Sequence, residues 1–538
     1  MKKGNKMKLL ALTSLALTLT LTACSENAGN GGSSEAQTGK LRLLGPDFGN
    51  RYIKFNERDK YPVWTEIDKL IKEAGLDPSY ELVPNEQYNV VIQTRMASGN
   101  KLPDIVNISA LDNVTVLNLA KQGAILDLNP LIEKYSNGNI RKMYDEQFPF
   151  AKKSTTSPDG KMYWFSSLHK LTYKGDQPSP VSLTMLLRKD WLDKLNIPVP
   201  KTAEEYLSAL VSMREQDANG NGQKDEVLLY NPGVFGSSIA QWFGLGSDLT
   251  AIDDEGKKVV SPWYQDGIKD YFRYLQRLVK EGVLDTNMIA ASYEQTQQKM
   301  IDNKVSSFHS YNLETWSDLN VGNGAGYLPL MPLQAVDGIK PAMQVEPHHL
   351  VWEKYAITKD VKDVAAAIRF FDMIYSEEYA DLHYWGIKDQ TYQVDENGAK
   401  HFINNGPDSE LAKSKQVQGA LLFGGTVFPR VQLANLEFSL ARAPKYKADN
   451  QLEVLKYKPY YYNSTANFLT IPNEEQLNEK TQIMTNLTTY STELATKLAL
   501  GQKSLDDWDQ YIAELKKLGL DKLIEIDQQL LDRYNSIQ

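Results

Sequence analysis

The body of this chain opens with segments that alternate between the strand and helix periods, and that alternation restricts the fold more than any other feature. Leu41-Arg42-Leu43-Leu44 is a short strand-like run followed by a turn signal at Gly45-Pro46, and an amphipathic helix is expected from about Val63 to Ala74. Tyr80 to Val83 reads as a second strand, and Glu86 to Ser98 as a helix that Gly99 stops at a left-handed cap position. A third strand follows at Ile105-Val106-Asn107-Ile108. A β-α-β-α-β order joins parallel neighbours through helices, so these residues predict an α/β unit around a largely parallel sheet.

A second alternating run begins near Met185-Leu186-Leu187, with helices expected at Thr202 to Glu215 and Tyr264 to Glu281. Lys304 to Tyr311 is strand-like again, Asp363 to Tyr375 has apolar residues at helical spacing, and Ser504 to Lys517 is one of several helical patterns near the end. Two such runs in more than 500 residues exceed one hydrophobic core and point to two or more lobes.

Met1 to Lys8 contains four lysines and no acid, and Leu9 to Ala23 is an apolar and threonine stretch ending at Leu21-Thr22-Ala23-Cys24. About 15 residues fall short of the roughly 20 that a membrane-spanning helix needs, so residues 1–23 read as a signal peptide. The last four residues resemble a bacterial lipobox, in which the cysteine is lipidated and becomes the new N-terminus. Residues 24–39 include SENAGNGGSSEAQTG, a flexible tether with no apolar face. Cys24 is the only cysteine, which leaves the body without disulfides, a thiol nucleophile or a cysteine-ligated metal. The net charge is −9, and removing four lysines with the leader takes it to −13, which argues against nucleic acid as a partner.

Asp217-Ala218-Asn219-Gly220-Asn221-Gly222-Gln223-Lys224-Asp225-Glu226 sets oxygen ligands at alternate positions, with glycines where the chain must turn. A hard cation takes six to eight oxygens, and a curled loop would offer Asp217, Asn219, Asn221, the Gln223 carbonyl, Asp225 and Glu226 to calcium. The twelfth position is Leu228 and not Glu, so an EF-hand sensor is not expected; a solvated Asn-Gly turn is the plainer alternative.

Three further segments establish a family likeness. Met96-Ala97-Ser98-Gly99-Asn100-Lys101-Leu102-Pro103-Asp104-Ile105-Val106, Leu187-Arg188-Lys189-Asp190-Trp191-Leu192-Asp193-Lys194-Leu195, and Ser504-Leu505-Asp506-Asp507-Trp508-Asp509 with Leu518-Gly519-Leu520 resemble the family 1 extracellular solute-binding proteins of carbohydrate ABC importers. The likeness is to the large lipoprotein subgroup of Gram-positive bacteria, related to alginate-binding proteins, and extends from Lys40 to the C-terminus. It implies two α/β lobes of the periplasmic-binding-protein type, with ligand held in an interlobe cleft sealed by hinge closure. By analogy residues 40–170 and 309–360 form the first lobe, and 171–308 with 361–538 the second, which holds a structural calcium loop. The implied protein is a monomer anchored by lipid on the outer face of the membrane, handing an unmodified oligosaccharide to a permease pair and its ATPase.

Sugars present hydroxyl rims and apolar faces, so a cleft needs flat aromatics beside polar groups, and the chain has nine Trp and 29 Tyr. Trp64, Trp191 and Trp508 lie in helical patterns and are assigned to packing. Trp164, Trp242, Tyr311, Trp316, Trp352 and Trp385 fall near presumed crossings or Gly-rich loops and are the candidate platforms. Asp47, beyond the first strand, Asn312 and Arg430 are the candidate polar partners.

A glycoside hydrolase would need two opposed carboxylates, which 68 acidic residues always allow, so their availability decides nothing. The six histidines lack HExxH spacing, and neither GxSxG nor GxxxxGK[ST] occurs. A tethered adhesin would bind no small ligand and show no closure. The expectation is a binder and not an enzyme, with neutral and uronic sugars both left open.

Overall fold

A computed structural model describes residues 39–47, 55–60, 62–170, 172–173, 177–178, 183–231, 238–246, 249–253, 256–289, 293–311, 326–341, 343–345, 349–396, 398–403, 427–433, 461–463 and 470–537. Residues 38–538 form one compact unit, within which two mixed sheets each have their own cores.

The first lobe begins with β1 (Gly39–Asp47), α1 (Pro62–Glu73), β2 (Leu76–Pro84), α2 (Asn85–Ser98), β3 (Ile105–Asn107), α3 (Asn113–Lys121) and β4 (Phe165–Lys170). β1 lies parallel to β2 on one side and to β3 on the other, as the alternation predicts. Gly45-Pro46 does not turn the chain: β1 runs on to Asp47, with Pro46 opposite Val83. β3 reaches only Leu43 and Leu44, so by Pro46 one side of the strand is open, where a residue without an N–H is tolerated. α1 buries Val63, Trp64, Ile67 and Ile71, a spacing that places all four on one face. Gly99 caps α2 at φ 61°, its N–H bonded to the Arg95 carbonyl, as expected.

The second lobe contains β5 (Leu183–Arg188), α4 (Lys189–Leu195), α5 (Ala203–Glu215), β6 (Val227–Leu229), α6 (Ile268–Lys280), β7 (Val305–Tyr311) and β8 (Tyr327–Pro329). Its sheet has the order β8-β5-β7-β6, with only β7 and β6 parallel. Met185 and Leu187 face one core with Tyr206 and Trp242, while Leu186 faces another with Phe308 and Tyr327, following the two-residue period of a strand.

The chain then returns to the first sheet as β9 (His349–Ile357), followed by α7 (Val364–Ile374), α8 (Glu377–Tyr384) and β10 (Val431–Gln432). That sheet has the order β10-β4-β9-β3-β1-β2. The boundaries expected by analogy are corrected at two places. Residues 309–311 and 326–333 stay with the second lobe, because β7 and β8 both pair with β5 and Leu330 and Leu333 enter its core. Residues 361–384 belong to the first lobe, because Ala366, Ala367, Phe370 and Phe371 of α7 pack with Leu41, Phe165 and Tyr355. Asp372 fixes that docking: buried, it accepts from Ser136 Oγ at 2.6 Å, Asn137 N at 2.8 Å and Ile140 N at 3.0 Å.

Three helices close the chain: α9 (Glu474–Ala499), α10 (Trp508–Lys517) and α11 (Leu520–Ser536). α9 starts in a capping box of Asn473 and Gln476, and Lys121 of α3 pairs with Glu474 in its first turn. Its later residues Leu487, Leu494 and Leu498 lie in the core of the second lobe. The same helix therefore touches both lobes, and just before it Ile471 enters a first-lobe core.

Candidate functional site

β1, β3, β4 and β10 run the same way, so their carboxyl ends share one edge of the first sheet, and β9 enters at that edge. β9 is bulged against β4: Trp352 faces Ser167 and Tyr355 faces Phe165, leaving Glu353 and Lys354 opposite a single residue. Glu353 sits at φ 58°, a left-handed conformation that a side chain seldom adopts and that clusters at functional positions.

The bulge turns Glu353 toward Arg430. Arg430 Nη2 lies 2.5 Å from Glu353 Oε1, while the Ser167 and Tyr355 hydroxyls donate to Oε2. Ser167 Oγ in turn accepts the Arg430 backbone N–H at 2.7 Å, and the Arg430 carbonyl accepts from Leu168 N at 2.7 Å. Burial works against the Arg430 charge, but Glu353 and then Tyr384 outweigh it and lift its pKa. The Arg430 side chain is 29% exposed and that of Glu353 13%, so this braced pair remains reachable from solvent.

Two imidazoles lie behind the pair. His169, near the end of β4, shares a 3.3 Å hydrogen bond between Nε2 and the Tyr384 hydroxyl of α8. His383 precedes Tyr384, its ring 4.9 Å from the Tyr384 ring and 5.6 Å from that of Tyr379, and neither of its ring nitrogens has a hydrogen-bond partner. Burial, then Arg430, holds both histidines neutral: His169 is pushed well below its usual pKa and His383 down to about 3.

Of the residues singled out in the sequence, Arg430 is in this cluster, and Asp47 ends β1 on the same sheet edge. Three expected platforms are placed in cores instead. Trp164 is 4% exposed, with the Lys354 ammonium 5.8 Å from its ring centre. Trp242 is 2% exposed and edge-on to Tyr206 at 5.0 Å, and Trp385 is 5% exposed against Tyr392 at 5.9 Å. Large apolar rings gain most from burial, and Trp242 at the end of a short helix and Trp385 at the C-cap of α8 both turn inward to supply it. Trp352 lies on β9 opposite Ser167, and Tyr311 ends β7 opposite Leu183. Asn312, Trp316 and Cys24 lie outside the described residues. Trp64, Trp191 and Trp508 are buried, as expected of packing residues.

The oxygen-rich loop curls as its alternation suggests, with Asp217, Gly220 and Gly222 all at positive φ. Asp217 accepts from the N–H groups of Gly220, Asn221 and Gly222, and Asn221 Oδ1 from Gln223 N. The Asn219 and Asn221 amides donate to Asp225 Oδ1 at 2.9 and 3.0 Å, and Lys304 pairs with Asp225 at 3.1 Å. Although burial opposes it, these contacts hold the Asp225 pKa below its usual value, whereas burial pushes Glu226 up. Among the described residues no group of three His, Cys, Asp or Glu side chains converges where a metal ion could sit, so the carboxylates alone do not build the site. One observation fits a cation: the buried Glu226 Oε2 has no partner.

Two α/β lobes with a polar, strained bulge at a sheet edge define a binding fold. The family model of bacterial extracellular solute-binding proteins matches residues 56–381, more than half of the chain, and the chain belongs to that family. It is a solute-binding protein and not an enzyme. It is similar to the fructooligosaccharide ABC transporter substrate-binding protein FusA of Streptococcus pneumoniae, 25% identical over 488 residues that cover 87% of each chain. It is also similar to the polygalacturonan/rhamnogalacturonan-binding protein YtcQ of Bacillus subtilis, 24% identical over 61% of this chain and 64% of that one. FusA in complex with kestose has the same fold, with a TM-score of 0.70 at 22% identity over 92% of this chain and 99% of that one. The alginate-binding protein AlgQ2 without calcium ion gives 0.65 at 20% identity over 92% and 98%.

Glu353, Ser167, His169, His383 and Tyr384 were not marked out in the sequence. Their signal is the bulge, and nothing in the run VWEKYAI announces an extra residue in a ladder.

Proposed function

We propose that this protein is the lipid-anchored substrate-binding component of an ABC importer, and that it captures an oligosaccharide and delivers it unmodified to a permease pair driven by an ATPase. The observation behind the ligand assignment is the Arg430–Glu353 pair, a mostly buried but solvent-reachable group of donors and acceptors on the carboxyl edge of an α/β sheet. Sugar hydroxyls both donate and accept, and a braced pair meets them without reorganising. The ligands named for FusA and YtcQ, both carbohydrates, support the same class.

Calcium belongs to this reading as a structural ion. Asp217, Asn219, Asn221, the Gln223 carbonyl, Asp225 and Glu226 would hold it, and bound there it would offset most of the charge of the three carboxylates and staple the loop to the second lobe. The unpartnered Glu226 oxygen supports this. Cys24 is the proposed lipid attachment, and residues 25–38, up to the start of β1 at Gly39, the leash. Thermal melting with a panel of oligosaccharides tests the central claim: stabilisation with the sugar recovered intact is expected, and cleaved sugar or no stabilisation by any saccharide removes it.

A further inference from the structure

Arg430 reaches Glu353 from a segment with a short grip on the sheet. The strand that follows, β10, pairs with β4 through two residues, Val431 beside Leu168 and Gln432 beside His169. That ladder fixes one side of Arg430. On the other side stands Pro429, whose ring restricts its backbone rotation, and then Phe428.

Phe428 is fully buried, and its ring sits among four others drawn from four separate elements. Trp64 of α1 meets it edge-on at 5.5 Å, Phe370 of α7 lies at 5.6 Å, Tyr80 of β2 at 5.7 Å, and Phe55 of the 3-10 helix Phe55–Lys60 stacks at 6.4 Å. β2 is the edge strand opposite β10, so the ring ties the segment to parts of the lobe with which β10 does not pair. The Arg58 guanidinium closes this socket on its solvent side, 4.6 Å from the Phe55 ring centre and 5.3 Å from that of Trp64, and its Nη1 donates to the Phe55 carbonyl at 3.2 Å. The backbone is caught as well: the Tyr355 hydroxyl that serves Glu353 also lies 3.3 Å from the Phe428 carbonyl.

A guanidinium on a long side chain is only as well placed as the backbone beneath it, and hydrogen bonds to a ligand weaken over displacements of less than an ångström. We infer that Phe428 is a positioning residue: its ring, seated in the Phe55, Trp64, Tyr80 and Phe370 socket, sets where Arg430 meets Glu353 and so sets the affinity for the sugar, without touching ligand itself. This rests on the reading of the Arg430–Glu353 pair as the ligand contact, and names what holds that contact in place.

Calorimetric titration of the intact mature protein tests this with kestose, galactotriose and trigalacturonate, taking whichever the wild type binds most tightly. Phe428→Ala should weaken that sugar about tenfold or more, and Phe428→Leu, which refills much of the socket, about threefold. Ile71→Ala is the control, a deletion in the same core two turns along α1 from Trp64; it should lower the urea midpoint yet change affinity by less than about twofold. Affinity unchanged in Phe428→Leu, or a loss in Ile71→Ala as large as that in Phe428→Leu, overturns the inference while leaving oligosaccharide binding intact. No saccharide bound by the wild type removes the reading beneath it and the inference together. The contrast between Phe428→Leu and Ile71→Ala decides the point even where Phe428→Ala does not fold.

Discussion

Glu226 accepts the backbone N–H of Asn219 at 3.0 Å through one carboxylate oxygen, and its other oxygen, buried, meets nothing. A divalent cation bound at the loop would supply what that oxygen lacks. Calcium at a hundredfold excess over its Kd should stabilise the folded chain by about 2.7 kcal/mol, read as a rise in Tm that a chelator reverses. The paired replacement Asp217→Ala and Asn219→Ala should abolish the rise; a rise that persists in that variant would assign the ion elsewhere.

Glu353→Ala removes the acceptor that neutralises Arg430 and two hydroxyl donors' common target. A fully buried pair broken on one side costs about 3–5 kcal/mol, and partial exposure here brings the expected loss to about 2 kcal/mol. Urea unfolding measures it. Glu353→Gln, which keeps an acceptor oxygen, should lose less than the alanine variant, and the reverse order would contradict the geometry.

Asp372→Ala should destabilise by about 2–4 kcal/mol, because three donors near Ser136 to Ile140 lose a buried carboxylate. Ser136→Ala, which removes one of the three, should cost a fraction of that in the same urea titration. Equal losses in the two variants would mean that the carboxylate does not organise the turn.

Acid should weaken the protein through its buried histidines. The pKa of His383 falls from its usual value to about 3 on folding, among Tyr379, Tyr384, His169 and the Arg430 charge. The unfolded chain therefore binds the proton first: stability is whole above about pH 6.5 and declines as pH falls toward 3, by up to about 1.4 kcal/mol per unit for this one group. His383→Phe removes the titrating ring, so its unfolding midpoint should vary less steeply with pH between 6 and 4. Parallel curves for variant and wild type would rule this out.

Cys24→Ala should abolish incorporation of labelled palmitate into cells expressing the protein and release it into the medium. Label retained by the variant would place the lipid on another residue.

The elements were legible in the sequence where one local signal suffices. Val63, Trp64, Ile67 and Ile71 announce α1, Gly99 announces the end of α2, and the Asp217 to Glu226 spacing announces a curled loop. The path of the chain between lobes was not legible, because α7 has an apolar face that either lobe accepts until Asp372 finds Ser136, Asn137 and Ile140. Trp242 and Trp164 misled for a related reason: a Gly-rich or crossing neighbourhood does not say whether a ring points into a cleft or a core. The Glu353 and Arg430 pair joins residues 77 positions apart through a bulge, which no local pattern records.

α9 is a single rod of 26 residues, roughly 39 Å long, clamped near its start by Lys121 and along its later turns by Leu487, Leu494 and Leu498. One rod thus leans on two separate cores with unequal firmness: its later turns are buried among apolar side chains, whereas its first turn meets the first lobe through Lys121 and Glu474, both more than half exposed, so a covalent link introduced at that pair would strengthen the weaker of its two attachments.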